Sequence, residues 1–431
     1  MGKRIISITG LGYVGLPVAV ALAKAGYIVH GYDHSEKRIA ELKNGFDDTL
    51  EVKAAELKNE KLVLTNNPED LARASIHIVA VPTPIDSKNE PDLLPLIGAS
   101  QTLSKYIKAK DVIIFESTVF PGCTEEICLP ILEKGSGLKS PEQFTVGYSP
   151  ERINPGDSDH NLETIVKVIS AQTHEALLVL EEIYGRIVKA GVHKAPSIKV
   201  AEAAKVIENI QRDVNIALIN EFSSVFTKLQ IDTYEVLEAA KTKWNFLPFK
   251  PGLVGGHCIG VDPYYLTHKA KEAGVNTKLI LAGRYINNNV PSRIADHCQL
   301  WAQQAEVSKP NVLVLGATFK ENVPDIRNSQ IPKLIKELKR FCGEIELVDP
   351  YSDLFGNKLM FDRSGIECLS HIEQIKNRAD TIILAVPHDE FISAGWRMFK
   401  DLDVNPRTLV FDVKAALPRE GTPDQFTVLR L

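Results

Sequence analysis

A short glycine pattern near the start of the chain restricts its fold more than any other feature. The residues Gly10-Leu11-Gly12-Tyr13-Val14-Gly15 follow an apolar run typical of a strand and open a stretch with helical spacing. Asp33 comes at the end of the next apolar run. A dinucleotide-binding βαβ unit requires this arrangement, because the glycines let the backbone approach a pyrophosphate at a helix N-terminus.

Asp33 also indicates which dinucleotide is bound. A carboxylate at this position accepts a hydrogen bond from a ribose 2′-hydroxyl but repels a 2′-phosphate, so NAD is favoured over NADP. Arg38 is close enough in the sequence to cover the adenosine side. A purely structural tight turn is the alternative interpretation of the glycines, and their strand–helix context disfavours it.

Apolar runs rich in β-formers alternate with helical patterns through roughly the first 190 residues. The runs read as strands that are covered on both faces, and their alternation with helices predicts an α/β fold with a doubly wound parallel sheet. The predicted strands are residues 4–9, 27–32, 76–81, 111–115, 145–148 and 165–169.

The middle of the chain has a different pattern. From residue 198 to 229 apolar residues recur every three or four positions, which predicts one long helix. Asp232 and Glu235 have the spacing of a capping box, so a second helix is expected there. A Pro/Gly-rich loop covers residues 247–260, and further helix is predicted to about Gln303.

After Pro310 the strand–helix alternation returns as a weak internal repeat. The run IHIVAVP of the first copy and the run TIILAVP of the second are nearly superimposable. The second copy lacks the glycine fingerprint, so we do not expect it to bind a dinucleotide in the same way. The sequence predicts two Rossmann-like domains, residues 1–196 and 306–431, joined by a central helical segment, 197–305.

The loop around Cys258 is the second chemical signal. It reads Gly255-Gly256-His257-Cys258-Ile259-Gly260-Val261-Asp262-Pro263, and its glycines leave the thiol little steric cover. A cysteine thiol is intrinsically nucleophilic and can add to an aldehyde. Asp262 could orient the thiol or position a water molecule. The alternative is a buried small hydrophobe, which is what we expect of the other five cysteines.

Polar residues elsewhere are weaker candidates on pattern alone. Lys205 and Asn209 are four apart on the long helix and share a face, where they could donate hydrogen bonds to a developing oxyanion or form a solvated stripe. Thr83, the Ser117-Thr118 pair and the Glu151-Arg152 pair follow successive strands, at the sheet edge where ligands bind. No His or Cys spacing suggests a metal.

Composition excludes several classes of function. Lys and Arg number 50 against 55 Asp and Glu, a formal charge of −5, so nothing draws the chain generally to nucleic acid or to a membrane surface. Six scattered cysteines indicate a reducing compartment, and we expect a cytoplasmic protein. The apolar residues of the long helix exceed what one surface stripe needs, which predicts a homodimer or a higher homo-oligomer.

Several motifs together resemble one enzyme family across nearly the whole chain. They are GLGYVGLP, VPTP, ESTVFPGCTEE, GYSPERINPGD, KVAEAAKVIENIQRDVNIAL, PGLVGGHCIGVDPYYL and GATFKENVPDIRNS. The sequence resembles the UDP-glucose/UDP-N-acetylmannosamine dehydrogenases, and is most similar to the bacterial UDP-N-acetylhexosamine 6-dehydrogenases of Vi-type capsule and O-antigen synthesis. The resemblance implies oxidation of UDP-GlcNAc or UDP-GalNAc to the uronic acid with two NAD, through a cysteine thiohemiacetal and thioester.

The resemblance also implies a role for each matching residue. Cys258 becomes the nucleophile, Lys205 and Asn209 steady the C6 oxygen, Asp262 and Thr118 hold the catalytic water, and Glu151 is the base for hydrolysis. Implied cofactor contacts are Gly10, Gly12, Tyr13, Val14, Gly15, Asp33, Arg38, Thr83, Ser117, Thr118 and Arg327. Implied substrate contacts are Glu151, Arg152, Ile153, Lys205, Asn209, Leu253, Gly255 and Lys320, the last at the UDP diphosphate.

Three alternatives stay open at this stage. The sugar could instead be UDP-glucose or UDP-N-acetylmannosamine, because the segment before Cys258 is one residue shorter than in many family members and Val261 replaces a lysine of the UDP-glucose branch. A β-hydroxyacid dehydrogenase would share the Lys–Asn helix but would need neither Cys258 nor the second α/β domain. A non-catalytic NAD-binding protein would release no NADH.

Overall fold

The computed structural model describes residues 4–153, 160–354, 366–400 and 402–431. The last four residues of the motif GYSPERINPGD lie outside this part of the chain. The fold divides into two compact units. The first unit comprises the chain up to Asn209 together with Val261–Asn276, and the second comprises Ile210–Gly260 and Thr277–Leu431.

The first unit is built on one sheet, which has eight strands among the residues described. They are β1 (Ile5–Thr9), β2 (Ile28–Tyr32), β3 (Leu62–Thr65), β4 (Ile76–Val79), β5 (Val112–Phe115), β6 (Thr145–Tyr148), β7 (Lys167–Ala171) and β8 (Val192–Lys194). Their order is β3-β2-β1-β4-β5-β6-β7-β8, with every pairing parallel except the antiparallel pair β6–β7. The whole of β4 and β5 is buried, as expected of strands covered on both faces.

Helices follow the strands of the first unit in the predicted alternation. They are α1 (Gly15–Lys24), α2 (Glu36–Lys43), α3 (Ala54–Leu57), α4 (Leu94–Ser104), α5 (Leu129–Ser136) and α6 (His174–Gly185). A 3₁₀ turn covers Pro68–Arg73 and a π-helical segment Thr124–Cys128. The buried face of α1 packs on the sheet through Leu16, Val20 and Ala23, in one core with Ile6 and Ile8 of β1. This core fixes α1 directly behind the glycine loop.

The helices of the middle segment agree with the sequence pattern. The long helix α7 runs over Ile198–Leu229, as predicted, and α8 covers Thr233–Ala240. The Asp232 side chain caps α8 by accepting from the backbone N–H groups of Tyr234 and Glu235. α9 (Asp262–Glu272) belongs to the first unit and α10 (Lys278–Gln304) to the second.

The second unit repeats the strand order of the first. Its described strands are β9 (Val312–Leu315), β10 (Ile345–Val348), β11 (Cys368–Leu369), β12 (Ala379–Leu384), β13 (Val404–Asp412) and β14 (Phe426–Arg430). They run in the order β11-β10-β9-β12-β13-β14, all parallel, which is the order of the first six strands of the other sheet. The helices among these strands are α11 (Ile331–Leu338) and α12 (Asp389–Ala394), with 3₁₀ turns at Ile372–Gln374 and Gly395–Phe399.

The expectation of two Rossmann-like, doubly wound sheets, with a long helix in the segment that separates them in the sequence, is therefore confirmed. The two boundaries between the three predicted domains stay a prediction. None of the helices in the described part of the chain is both long enough and apolar enough to span a membrane.

Candidate active site

The glycine loop after β1 has the geometry that a dinucleotide requires. Gly10 has φ +93°, and a Cβ there would lie 2.8 Å from the Ala80 carbonyl oxygen. A Cβ on Gly15 would lie 1.9 Å from the Gly10 carbonyl oxygen, so the turn closes only with glycine. A Cβ on Gly12 would instead point into open space, on the side where a pyrophosphate could approach the backbone.

The start of α1 completes this cradle. Tyr13 and Val14 form the turn into the helix, and the side chain of the N-cap residue, Val14, makes no capping hydrogen bond. Such N–H groups bind an anion readily, because they and the helix dipole both favour negative charge. The glycine loop and the uncapped helix therefore fit the pyrophosphate of NAD.

Asp33 and Arg38 hold the glycine loop from opposite sides. Asp33 Oδ2 accepts from the Leu11 N–H at 2.9 Å, and its Oδ1 accepts from the Ser35 N–H at 2.9 Å. Arg38 is buried and donates to the Leu11 carbonyl at 2.9 and 3.0 Å and to Asp47 at 2.7 Å. Arg38 thus supports the loop, and its predicted contact with adenosine stays a prediction.

The loops after β4 and β5 are tied to each other and to α9. Ser117 Oγ donates to the Val81 carbonyl at 2.6 Å, and the Tyr148 hydroxyl donates to the Ser117 carbonyl at 3.2 Å. The Tyr265 hydroxyl of α9 donates to the Pro84 carbonyl at 3.0 Å. These bonds fix the half-buried Thr83 and Thr118 at the carboxyl edge of the sheet.

Glu151, three residues beyond β6, is held by three donors. Oε1 accepts from the backbone N–H groups of Arg152 at 2.6 Å and Ile153 at 2.8 Å, and Oε2 accepts from Lys167 Nζ at 2.7 Å. Burial by itself would raise the pKa of Glu151, but the Lys167 ammonium and the two N–H groups hold that pKa below its ordinary value. The Arg152 guanidinium pairs with Glu208 at 2.8 Å.

Three predicted catalytic residues of the first unit lie together. Lys205 and Asn209 are on the same face of α7, one turn apart and both buried. Asn209 Nδ2 donates to Asp262 Oδ2 at 2.5 Å, and Asp262 begins α9. This bond fixes the side-chain amide of Asn209 and therefore also the direction in which its Oδ1 points.

Cys258 lies in the loop 247–260 of the second unit and is half-buried. Three side chains of the same unit bind the backbone of this loop at alternate residues. Asn220 exchanges two hydrogen bonds with Gly252, Gln330 Nε2 donates to the Val254 carbonyl at 3.2 Å, and Asn328 Nδ2 lies 3.5 Å from the Gly256 carbonyl.

Glycine is required at two positions of this loop. A Cβ on Gly255 would lie 2.6 Å from the Asn328 carbonyl oxygen. Gly256 has φ +86°, and a Cβ there would lie 2.6 Å from the Phe319 ring. The Gly-Gly pair before His257 therefore lets the loop pack against the segment after β9.

The loop and the segment after β9 border a small cavity in the second unit. In the same segment after β9, Arg327 donates to Asp325 at 2.7 and 3.0 Å, and Lys320 lies earlier in the segment. Sequence reasoning missed Gln330 and Lys414, the latter paired with Glu321 at 2.8 Å. Lys414 follows β13 at the carboxyl edge, a position that could have signalled it. The cavity is lined by Leu253, Gly255, Thr318, Phe319, Gln330 and Lys414, among others.

The glycine loop at the start of α1, on a doubly wound sheet, is typical of an NAD-binding protein. Sequence models of the UDP-glucose/GDP-mannose dehydrogenase family match the chain in three parts. The NAD binding domain matches residues 4–188, the central domain 199–289 and the UDP binding domain 313–419. The chain belongs to this family, and it is an NAD-dependent UDP-sugar dehydrogenase.

Individual relatives are similar over nearly their full lengths. The Staphylococcus aureus protein CapL is 52% identical over 417 residues, which is 96% of each chain. The UDP-N-acetyl-D-glucosamine 6-dehydrogenase of Pseudomonas aeruginosa is 47% identical over 418 residues, 96% of this chain and 97% of that one. The solved UDP-D-ManNAc dehydrogenase from Pyrococcus horikoshii is 30% identical, with a TM-score of 0.87 and 99% of each chain covered.

Proposed function

We propose that the chain oxidises the C6 hydroxyl group of a UDP-N-acetylhexosamine, UDP-GlcNAc or UDP-GalNAc, to the UDP-uronic acid. One sugar, one water and two NAD⁺ give one carboxylate, two NADH and three protons. The observation that carries the proposal is the 47% identity to a UDP-N-acetyl-D-glucosamine 6-dehydrogenase over almost the whole of both chains. NAD, when bound, supplies the acceptor for the hydrides that leave C6.

Cys258 is the proposed nucleophile for the second half of the reaction. Its thiolate adds to the C6 aldehyde to form a thiohemiacetal, and oxidation of that adduct gives a thioester. Water then adds to C6, the C6–S bond breaks, and the thiolate leaves with its electron pair. The glycines around Cys258 support this role because they allow its loop to pack closely against the segment after β9.

The buried residues of the first unit supply the polar groups for these steps. Lys205 and Asn209 donate hydrogen bonds to the C6 oxygen as it gains negative charge. Asp262 and Thr118 hold the water, and Glu151 takes its proton as the carbon–oxygen bond forms. The hydrogen bond from Asn209 to Asp262 supports a shared task for these two side chains.

The second unit is proposed to hold the nucleotide of the substrate. Lys320 meets the UDP diphosphate and Arg327 the NAD pyrophosphate. The small cavity of this unit is bordered by Leu253 and Gly255, the two loop residues expected at the substrate. Gln330 and Lys414 add polar groups to its lining.

A UDP-N-acetylmannosamine 6-dehydrogenase is the second candidate. The similarity to the Pyrococcus horikoshii UDP-D-ManNAc dehydrogenase supports it, at a lower identity of 30%. The two candidates differ only in the configuration of the sugar, so the sugar itself has to be tested.

The test uses purified protein, NAD and a panel of UDP-hexoses, with NADH followed at 340 nm and products identified by mass. We expect two NADH and one carboxylate per UDP-GlcNAc or UDP-GalNAc consumed, and little turnover of UDP-glucose. Preferential oxidation of UDP-ManNAc selects the second candidate. One NADH per sugar with free aldehyde contradicts the cysteine route. Cys258→Ser is the matched control, because it keeps the loop but loses the thiol.

We also propose a cytoplasmic homodimer formed through α7. Four apolar side chains on one face of this helix are 39–60% exposed, and we call them the α7 stripe: Leu218, Phe222, Val225 and Leu229. Pairing of two copies would bury the stripe in an isologous contact. Lys241 and Lys243 are candidates to reach the partner's site. The division into domains 1–196, 197–305 and 306–431 is retained as part of this proposal.

A further inference from the structure

The antiparallel pairing of β7 with β6 brings an unusual residue to the carboxyl edge of the first sheet. In a parallel sheet the first residue of a strand lies at the edge opposite to the ligand site. β7 runs against β6, with Gly147 opposite Ala171 and Tyr148 opposite Ser170. When this register is extended beyond Tyr148, Glu151 lies opposite Lys167, the first residue of β7.

Side chains continue the pairing beyond the end of the backbone ladder. Ser149 Oγ donates to the Val168 carbonyl at 2.9 Å, and Arg152 Nη1 donates to the Val166 carbonyl at 2.9 Å. Between these two bonds, Lys167 Nζ donates to Glu151 Oε2 at 2.7 Å. The reversed strand therefore fixes both partners of the Lys167–Glu151 pair.

A second buried carboxyl group shares the same ammonium group. Glu116 follows β5, its Oε2 lies 3.6 Å from Lys167 Nζ, and the Tyr184 hydroxyl donates to its Oε1. The side chains of Lys167, Glu116 and Glu151 are 3%, 0% and 9% exposed. One buried positive charge thus faces two carboxyl groups, and an uncompensated buried charge is costly.

Glu151 and Glu116 differ in how readily they carry the negative charge, because their hydrogen-bond donors differ. Glu151 accepts from an ammonium group and two backbone N–H groups, whereas Glu116 accepts from one phenol and lies farther from the ammonium group. Burial raises the pKa of Glu116 despite Lys167, while the pKa of Glu151 is lowered. Neutrality is reached when Glu116 carries a proton and Glu151 does not.

We propose that Lys167 is a positioning residue that holds Glu151 ionised and oriented for thioester hydrolysis, with Glu116 as its protonated partner. This inference rests on the proposed function. An ionised Glu151 accepts a proton from the attacking water and returns it to solvent, and a neutral Glu151 cannot. Lys167 itself touches neither substrate nor cofactor in this role.

The test compares Lys167→Met with Lys167→Arg in the full-length protein, using NAD and the UDP-hexose that the wild type oxidises. Steady-state turnover is measured from pH 3.5 to 9, a range that reaches the low-pH limb of the wild type, and acid-quenched enzyme is examined by mass spectrometry for a thioester on Cys258. Loss of a charge at this distance raises a carboxyl pKa by about one unit or more. In Lys167→Met we therefore expect the low-pH limb of the turnover–pH profile (the acid limb) to move to higher pH by that amount. At any pH on this limb, turnover should fall roughly tenfold.

The thioester and the conservative variant separate positioning from a general structural role. At low pH, Lys167→Met should release two NADH per site at the wild-type rate and then accumulate enzyme-bound thioester, and Lys167→Arg should restore the wild-type profile. Lys167→Gln keeps a donor without the charge and replaces Lys167→Met if that variant does not fold. A folded neutral variant whose acid limb superimposes on the wild-type limb overturns the proposal.

Glu116→Gln tests the assignment of the proton. Glutamine has the shape of a protonated glutamate, so the acid limb should stay where it is in the wild type. A downward shift of the limb would mean that Glu116 is ionised, and would overturn the assignment. Failure of the wild type to oxidise any UDP-hexose would instead overturn the proposed function and is seen before any variant is made.

Discussion

Replacing Asn220 with alanine is a direct test of how the cysteine loop is held. Asn220 lies on α7 and is fully buried. Its Oδ1 accepts from the Gly252 N–H at 2.9 Å, and its Nδ2 donates to the Gly252 carbonyl at 3.1 Å and to Asn287 Oδ1 at 2.8 Å. Gly252 is six residues before Cys258, so this amide fixes the entry of the loop.

The magnitude follows from the groups that alanine would leave without a partner. The Gly252 N–H, the Gly252 carbonyl and Asn287 Oδ1 each lose a hydrogen bond in a buried site. An unsatisfied buried polar group costs about 1–3 kcal/mol, and partial relaxation reduces the total. We expect Asn220→Ala to lower the free energy of unfolding of the second unit by roughly 3–5 kcal/mol.

Tryptophan fluorescence monitors the unfolding of the second unit selectively. All three tryptophans of the chain, Trp244, Trp301 and Trp396, belong to the second unit, and Trp301 is buried. Urea unfolding followed by tryptophan emission therefore measures the stability of the second unit. NAD affinity should stay at the wild-type value because the glycine loop lies in the first unit, whereas kcat should fall.

Asn215→Ala is the matched control on the same helix. The Asn215 side chain is half-buried and, among the residues that the structure describes, donates only to the Gln211 carbonyl one turn earlier. Its loss should change the free energy of unfolding by no more than about 0.5 kcal/mol. A loss below about 1 kcal/mol in Asn220→Ala would show that the amide does not hold the loop.

Three further outcomes test separate parts of the site and assembly. Cys258→Ser should lose at least ~10³ in kcat, roughly 4 kcal/mol in the barrier, with NAD binding intact; wild-type turnover would refute the covalent route. Phe222→Asp should convert dimers to monomers in light scattering, and a wild-type protein that is already monomeric would contradict the α7 stripe as an interface. Asp33→Ala should weaken NAD binding about tenfold in a fluorescence titration, because it also frees the Leu11 N–H; unchanged affinity would remove Asp33 from the cofactor site.

The interior strands and long helices could be predicted from the sequence because their patterns are local. The apolar spacing of residues 198–229 predicted both ends of α7, and β6 was predicted over its observed range. The two strands that were missed, β3 and β8, lie at the two edges of the first sheet. β8 has only three residues, two of them exposed, so it has no apolar run to recognise. Edge strands carry weaker patterns because one side of the ladder is unpaired.

The direction of β7 could not be predicted for a different reason. Its apolar run reads alike in either orientation, and the orientation depends on how the chain crosses before residue 167. Lys167 was predicted in the middle of a strand over residues 165–169, and only the observed start and direction of β7 place its side chain beside Glu151. Asn220 and Gln330 were missed similarly, since each acts on the backbone of a segment distant in the sequence.

The two copies of the repeat show how one turn can serve two purposes. Gly10 and Gly316 both have positive φ, and a Cβ on either would lie 2.8 Å from the carbonyl oxygen of a residue that follows the fourth strand of its copy. In each copy an aspartate after the second strand accepts from the N–H groups of this turn.

The aspartates then differ in what surrounds them. Asp349 is fully buried, and His388 Nε2 donates to the same oxygen that accepts from Ala317 and Thr318. Burial would raise the pKa of Asp349, but His388 and the N–H groups lower it, so the carboxylate is committed to holding its own loop. Asp33 keeps one face toward the open side of the glycine cradle, with 14% of its side chain exposed. The same scaffold thus leaves the aspartate of the first copy partly exposed and covers the aspartate of the second copy with a histidine.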